Sequence, residues 1–385
     1  MDKILLEYLH TQGQKMKIAI FCDYLHSFGG TEYYNATLAM ELKKRGCDVR
    51  VFICEKTQNQ YWVERLTKAG IKTYEPERHR IDREDRSVDT EFVNGFINEF
   101  ISWSPDIIHA SPAANLLTAF LSNKKAPRTP IVATEHTTPG PDSAFWYPDS
   151  FPRLMRRIDA FVATCKASAN GIKQFHKFDG PVNIIPHFIN TPHMHKTKRI
   201  SNSVGCIARM SPEKGIGVLL VAWRTVVSKI PSAKLYLYGS GRVQSYFERL
   251  AMSLAIQNCV CFAGTFDPKD GPAAIAQQHD IFVQPSLFES IPTSIIELGL
   301  IGKPVIATNV GGVREIINKD TGVLIPSGST DRLARSIISL LQDKKRQACL
   351  ASNLKESMGQ KYDMQSNIDK MIELYQSVVT KKSKK

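Results

Sequence analysis

Two acidic residues eight apart, Glu289 and Glu297, flank a segment that reads as the start of a helix, PSLFESIPTSIIE (285–297). A carboxylate accepts hydrogen bonds from neighbouring hydroxyls, so a pair at this spacing can hold two different diols of one ligand. Between them the helix start offers backbone N–H groups to a phosphate. A capping box between Ser294 and Glu297, with Glu289 as a solvated loop acid, is the plainer alternative. A second segment, Arg209-Met210-Ser211-Pro212-Glu213-Lys214-Gly215, leaves a strand and enters a helix. Its cations suit a diphosphate, Arg through its planar fork and Lys as a point charge, against a reading as two surface cations. A third segment, Phe28-Gly29-Gly30-Thr31-Glu32, follows the first strand. Paired glycines before a helix let backbone approach an anion, although Thr31 as an N-cap would explain the same residues without a ligand. It is not G-x-G-x-x-G, which disfavours a nicotinamide dehydrogenase. His109 and His136 lie at strand ends, where a lone histidine is usually structural.

The elements that must position these residues are short apolar, β-branched runs alternating with helical patterns. Strands are expected near 17–22 (KIAIFC), 49–54, 106–109, 131–135, 160–164 and 182–186, then near 204–209, 234–238, 259–264, 281–284 (IFVQ), 305–308 and 322–325. Runs apolar on both faces belong to parallel sheets covered by helices, and the alternation implies right-handed βαβ crossovers. The expected fold is therefore α/β, with two doubly wound Rossmann-like domains facing a cleft. Ligands in such sheets bind outside the carboxyl ends of the strands. The expected boundaries are an N-terminal extension at 1–15, a first domain at 16–190 and a linker at 191–203. A second domain at 204–360 follows, then a helix at 361–380 and a basic tail at 381–385.

The chain has 385 residues, more than one ordinary core needs. No apolar run is long enough to span a bilayer, and the N-terminus lacks the pattern of a secretory signal. The eight cysteines include no C-x-x-C pair and read as reduced thiols, with no metal site. Net charge is +13, of which +11 falls in residues 191–385. The terminal lysines read as a solvated tail, and peripheral membrane contact has no specific signal. No nucleic-acid module is evident. The expected location is the cytoplasm, at or away from the inner face of the membrane.

Taken together, GCIARMSPEKGI, LYLYGSGR, FAGTF, IFVQPSLFESIPTSIIELGLIGKPVIATNVGGVREII and TGVLIPSGSTDRL resemble glycosyltransferase family 4, retaining enzymes of the GT-B fold. GGTEYYNATLAMELKKRGCDVRVF, PDIIHA and IVATEHT extend the resemblance into the first half. The resemblance implies a hexosyltransferase using a nucleoside diphosphate sugar, UDP- or GDP-linked, and a carbohydrate or glycolipid acceptor. It implies that 16–190 is the acceptor-side domain, that 204–360 binds the nucleotide sugar and that the helix at 361–380 crosses back to the first domain. It places Arg209 and Lys214 on the donor diphosphate and Glu297 on the ribose. Glu289 falls on the transferred sugar with the backbone of Ser290 and Ile291, and Gly239, Gly29 and Gly30 fall near the donor. No metal is implied, consistent with the absence of an Asp-x-Asp triplet. Members often carry a histidine two residues after the position of His109, where this chain has Ser111. That leaves Ser111, His109 and His136 as the candidates on the acceptor side. A GT-B sugar-nucleotide 2-epimerase and a non-catalytic sugar-nucleotide-binding protein remain as alternatives.

Overall fold

In the computed structural model the described residues are 15–25, 29–77, 87–111, 115–141, 147, 151–189, 198–266 and 271–383. The expected extension, except residue 15, lies outside them, as do most of the expected linker (191–197) and the last two residues of the basic tail. The chain divides into two compact units.

The first unit takes residues 1–164, 168–188 and 365–385. Its strands are β1 (Lys17–Cys22), β2 (Asp48–Ile53), β3 (Lys72–Tyr74), β4 (Ile107–Ala110), β5 (Ile131–Glu135), β6 (Ala160–Ala163) and β7 (Val182–Ile184). They form one sheet in the order β3-β2-β1-β4-β5-β6-β7, parallel throughout. Its helices are α1 (Gly30–Lys44), α2 (Tyr61–Lys68), α3 (Ser87–Trp103), α4 (Asn115–Ser122), α5 (Phe151–Met155) and α6 (Lys166–Gln174). The central strands bury both faces, which explains their unbroken apolar runs: Ile18, Ala19, Ile20 and Phe21 are all fully buried. On one face Phe21 meets Phe52, Phe96, Phe100 and Phe120 edge-on at 5.2–6.3 Å between centroids. Each such ring contributes about 2–3 kcal/mol by burial.

The second unit takes residues 189–364 together with Cys165–Ala167, and Glu315 accepts from the N–H groups of both Lys166 and Ala167 at 3.0 Å. Its strands are β8 (Ser203–Ile207), β9 (Lys234–Tyr238), β10 (Val260–Gly264), β11 (Ile281–Gln284), β12 (Val305–Thr308) and β13 (Val323–Ile325). The order is β10-β9-β8-β11-β12-β13, again parallel. Its helices are α7 (Ile216–Lys229), α8 (Gln244–Ser253), α9 (Ala273–Ala276), α10 (Thr293–Ile301), α11 (Thr330–Gln342) and α12 (Lys344–Lys361). Leu333, Ala334, Ile337, Leu340 and Leu341 make the one buried stripe of α11. By contrast α10 is buried nearly all round, because it packs on both the sheet and α12.

The last helix, α13 (Met364–Ser383), belongs to the first unit from Gln365 onward. It starts three residues after the expected 361 and takes in the beginning of the expected tail. Tyr375 at its core is fully buried, and its hydroxyl lies 2.7 Å from His109 Nδ1. Strand β3 is an element that hydrophobic patterning missed: it is three residues long, lies at the sheet edge and is only partly buried. All eight cysteines are free. Among the described residues no helix is long and apolar enough to cross a membrane.

Candidate active site

In each sheet the strand order reverses direction once, between β1 and β4 and between β8 and β11. The loops beyond such a reversal point splay apart and leave a crevice. In the second unit those loops are residues 208–215, after β8, and residues 285–292, after β11. They carry Arg209, Lys214, Glu289, Ser290 and Ile291 among the residues that the sequence singles out.

The first loop passes through a single 3-10 turn, Pro212–Lys214, and enters α7 at Gly215, whose φ is +68°. A Cβ there would stand 2.0 Å from the carbonyl oxygen of Pro285, so only glycine lets the two loops touch. They are also tied by backbone, because Leu287 N donates to Glu213 O at 2.8 Å. This contact aims Lys214 at the second loop. Its Nζ donates to Glu289 Oε1 at 2.5 Å, with both side chains largely buried. Arg209 is placed differently. Its exposed guanidinium meets Glu213 at 3.2 Å, and Glu213 also accepts from the Ser211 hydroxyl at 2.6 Å. An exposed pair of this kind is worth little and is readily exchanged for a better anion.

Glu289 is buried and held by a polar network. Its Oε1 accepts from Ser286 Oγ at 2.9 Å and from Gln284 Nε2 at 3.5 Å besides Lys214. Below it, the Glu289 carbonyl faces Gly311, where φ is +49° and a Cβ would stand 1.9 Å from that oxygen. Ser290 and Ile291 are buried, and Ser290 O accepts from Gly312 N at 2.8 Å. The N–H groups of Ile291, Thr293 and Ser294 have no partner among the described residues, so they remain available to an anion.

Glu297 lies one turn into α10 and has no hydrogen-bond partner among the described residues. It is half-buried, and desolvation pushes its carboxyl from the ordinary 4.5 up to about 8. The capping-box alternative is set aside, because the Ser294 hydroxyl donates to Gln284 Oε1 at 3.2 Å instead. Gly239 follows β9, and its own N–H is taken by Gly264 O at 2.7 Å.

The remaining candidates lie in the first unit. Gly29 is the N-cap of α1, so the expected Thr31 cap is corrected: Thr31 is already inside the helix. A Cβ on Gly29 would stand 2.5 Å from a carboxylate oxygen of Glu32, so this acid folds back over the helix start. Gly30 is the first residue of α1. His109 is fully buried, with Nε2 3.2 Å from Thr134 Oγ1 and Nδ1 on Tyr375. Burial draws its pKa down to about 3. With both nitrogens engaged it has no atom for a substrate, and the suggestion of a catalytic His109 is corrected to a structural role. His136 is half-buried, packs edge-on against Tyr34 at 4.8 Å and leaves Nδ1 without a partner. Ser111 is half-buried just beyond β4. A cavity of about 830 Å³ in this unit, lined by Tyr147, Phe151, Met155, Phe175, His176 and Phe178 among others, includes none of these candidates.

Sequence reasoning missed Gln284, Ser286 and Thr308, the polar residues beneath Glu289. A signal was present for the first: Gln284 is the one polar residue in the otherwise apolar strand IFVQ. Among the described residues no group of three or more His, Cys, Asp or Glu is arranged to hold a metal.

Comparison with known proteins places these features in a family. The family model described as Glycosyltransferase Family 4 matches residues 28–192, and that described as Glycosyl transferases group 1 matches residues 193–357. The chain is 32% identical over 156 residues to a GDP-mannose-dependent phosphatidylinositol monomannoside mannosyltransferase of Corynebacterium glutamicum, covering 39% of this chain and 40% of that one. It is 25% identical over 304 residues to a sulfoquinovosyl transferase of Arabidopsis thaliana, covering 71% and 57%. The chain thus spans about half the length of these curated relatives. Among solved structures, the sucrose-phosphate synthase of Thermosynechococcus elongatus superposes with a TM-score of 0.79 at 18% identity, covering 95% of this chain and 100% of that one. HepE of Anabaena in complex with UDP-glucose gives 0.76 at 21%, covering 94% and 100%. The fold is GT-B. Matched by two adjoining family models from residue 28 to residue 357, the chain belongs to glycosyltransferase family 4, the group 1 glycosyl transferases.

Proposed function

We propose that this chain is a retaining, metal-independent hexosyltransferase acting in the cytoplasm. It takes a sugar from a nucleoside diphosphate donor, a UDP-sugar in preference to a GDP-sugar, and passes it to a hydroxyl of a carbohydrate or glycolipid acceptor in surface polysaccharide or glycolipid synthesis. The observation that carries this reading is the Lys214–Glu289 contact of 2.5 Å at the reversal point of the second sheet, followed along the chain by the open N–H groups of α10 and by Glu297, whose side chain has no partner among the described residues. A cation paired to an acid, a helix start after it and a second acid one turn on suit a diphosphate with hydroxyls on either side of it. The UDP complexes of HepE support a UDP-sugar, and the mannosyltransferase relatives keep a GDP-sugar open.

In this scheme the bond from the anomeric carbon to the diphosphate oxygen breaks, and that oxygen leaves with the electron pair. The acceptor oxygen attacks from the same face, and the departing phosphate oxygen takes its proton. The protein positions the partners and neutralises the charge that develops on the leaving diphosphate. Lys214 and the α10 start do so directly, and Arg209 joins after releasing Glu213. Glu289 orients the sugar through its hydroxyls, and Glu297 holds the ribose.

A screen of nucleotide release across UDP-, GDP- and ADP-sugars tests the reading, with one donor expected to turn over. If no nucleotide or sugar nucleotide binds, the proposal fails. A second reading, a non-catalytic sugar-nucleotide-binding protein, is favoured by Ser111 standing where related enzymes often have histidine. Donor binding in calorimetry without nucleotide release under any acceptor would support it.

A further inference from the structure

Beneath Glu289 lies a chain of buried polar groups that connects it to the start of α10. Gln284 ends β11 and is 4% exposed, Ser286 is fully buried, and Ser294 and Thr308 are buried as well. The Gln284 amide bridges two directions. Its Nε2 donates to Ser286 Oγ at 3.0 Å and to Glu289 Oε1 at 3.5 Å, while its Oε1 accepts from Ser294 Oγ at 3.2 Å. Ser286 Oγ then donates to Glu289 at 2.9 Å. The Ser286 backbone is held in turn, because Thr308 Oγ1 donates to its carbonyl at 2.6 Å. Every one of these groups belongs to the second unit.

We infer that Gln284 is a positioning residue: it sets the Glu289 carboxylate and the first turn of α10 as one rigid pair, through Ser286 on one side and Ser294 on the other. The inference rests on the donor site proposed above, since it is there that an acid and a helix start must meet one ligand together. The chemistry singles out a primary amide, which offers donors to the Ser286–Glu289 side and an acceptor to Ser294 from one side chain. A carboxylate at 284 would supply the acceptor but would turn a second negative charge on Glu289. A methionine would fill the space, leave the Ser294 hydroxyl without its acceptor and take from Ser286 and Glu289 the donor they share. A network of this kind fixes geometry when complete and loosens when one member is lost.

The test uses the full chain with Gln284→Met, Gln284→Glu and Ser294→Ala. The readouts are donor kcat and KM, UDP binding by calorimetry, and melting temperature. For Gln284→Met, kcat should fall about 10- to 100-fold while KM for the donor moves less than about 3-fold, because the groups that touch the donor are still present but misplaced. Ser294→Ala should give a smaller loss of the same kind. Gln284→Glu carries the signature that a merely structural role would not: a protonated glutamic acid again offers one donor and one acceptor. Its kcat relative to the unaltered chain should therefore recover as pH falls from 8 to 5.5. Should Gln284→Met not fold, the Gln284→Glu pH ratio and Ser294→Ala decide. If all the variants that fold keep unaltered kcat, or the Gln284→Glu ratio is flat with pH, the inference is overturned while the donor site stands. If the unaltered chain binds no sugar nucleotide, both fall together.

Discussion

Glu297 offers the sharpest test of the donor site, because its proton can be counted. Raising a carboxyl from 4.5 to about 8 corresponds to roughly 5 kcal/mol against the ionised form, reduced to a few kcal/mol by the partial exposure of this side chain. Two hydroxyls donating to an ionised carboxylate return about 1.5–3 kcal/mol each, which is enough to cancel that penalty. Binding of a ribose should therefore drive the proton off. At pH 7 a carboxyl raised in this way is largely protonated, so nucleotide binding should release up to one proton. Below pH 8 the affinity should rise with pH by up to about tenfold per unit, and level off above it. Calorimetry of UDP binding in two buffers of different ionisation enthalpy, at pH 6, 7 and 8.5, reads the proton count. Glu297→Gln should abolish the difference between buffers, bind as well as the unaltered chain at pH 6 and clearly more weakly at pH 8.5. Equal proton release by the two proteins would refute the assignment of Glu297 to the ribose.

Four further outcomes follow from named contacts. Lys214→Met removes the cation from Glu289 and should lower donor turnover at least about 100-fold, read as nucleotide release. Gly311→Ala forces a left-handed φ on alanine and drives its methyl into the Glu289 carbonyl, so donor binding should be lost with a fall in melting temperature; intact binding would show that the 310–312 loop is not held against Glu289. Tyr375→Phe leaves His109 Nδ1 unpaired and should cost about 1–3 kcal/mol in chemical unfolding. Acid should weaken the first unit. Burial holds His109 at about 3 and His187 at about 4, so the unfolded chain takes up protons below about 6.5 that the folded chain refuses, and stability present above that pH is lost on the way down. The loss reaches about 2 kcal/mol per histidine by pH 5, and Asp23, raised by burial to about 7, returns a similar amount because its folded form binds a proton first. The net fall should appear as faster amide exchange in this unit at pH 5 than at pH 7.5, after correction for the intrinsic rate.

Much of the framework was readable from apolar runs. KIAIFC and IFVQ are strands at the expected residues because a parallel strand covered on both faces has to be apolar at every position. The edge strand β3 escaped because KTY lacks that constraint. In the candidate site, residue type and spacing pointed to Lys214, Glu289 and Glu297, since charge at the carboxyl end of a buried strand stands out. They could not tell that Lys214 reaches Glu289 whereas Arg209 turns to Glu213, because that depends on Gly215 letting one loop touch Pro285. Nor could they tell that His109 is enclosed, because the residue that encloses it, Tyr375, lies 266 positions away.

The grouping of residues 365–385 with residues 1–164 and 168–188 means that nearly all of the second unit is, in chain order, an insertion into the first. During synthesis residues 189–364 emerge before α13 does, so nearly all of the second unit can fold while the first still lacks that helix. A fragment ending at residue 188 would leave His109 Nδ1 and the site of α13 open to water. A useful dissection of this protein would instead join residue 188 to residue 365 by a linker, so that α13 is kept with its unit.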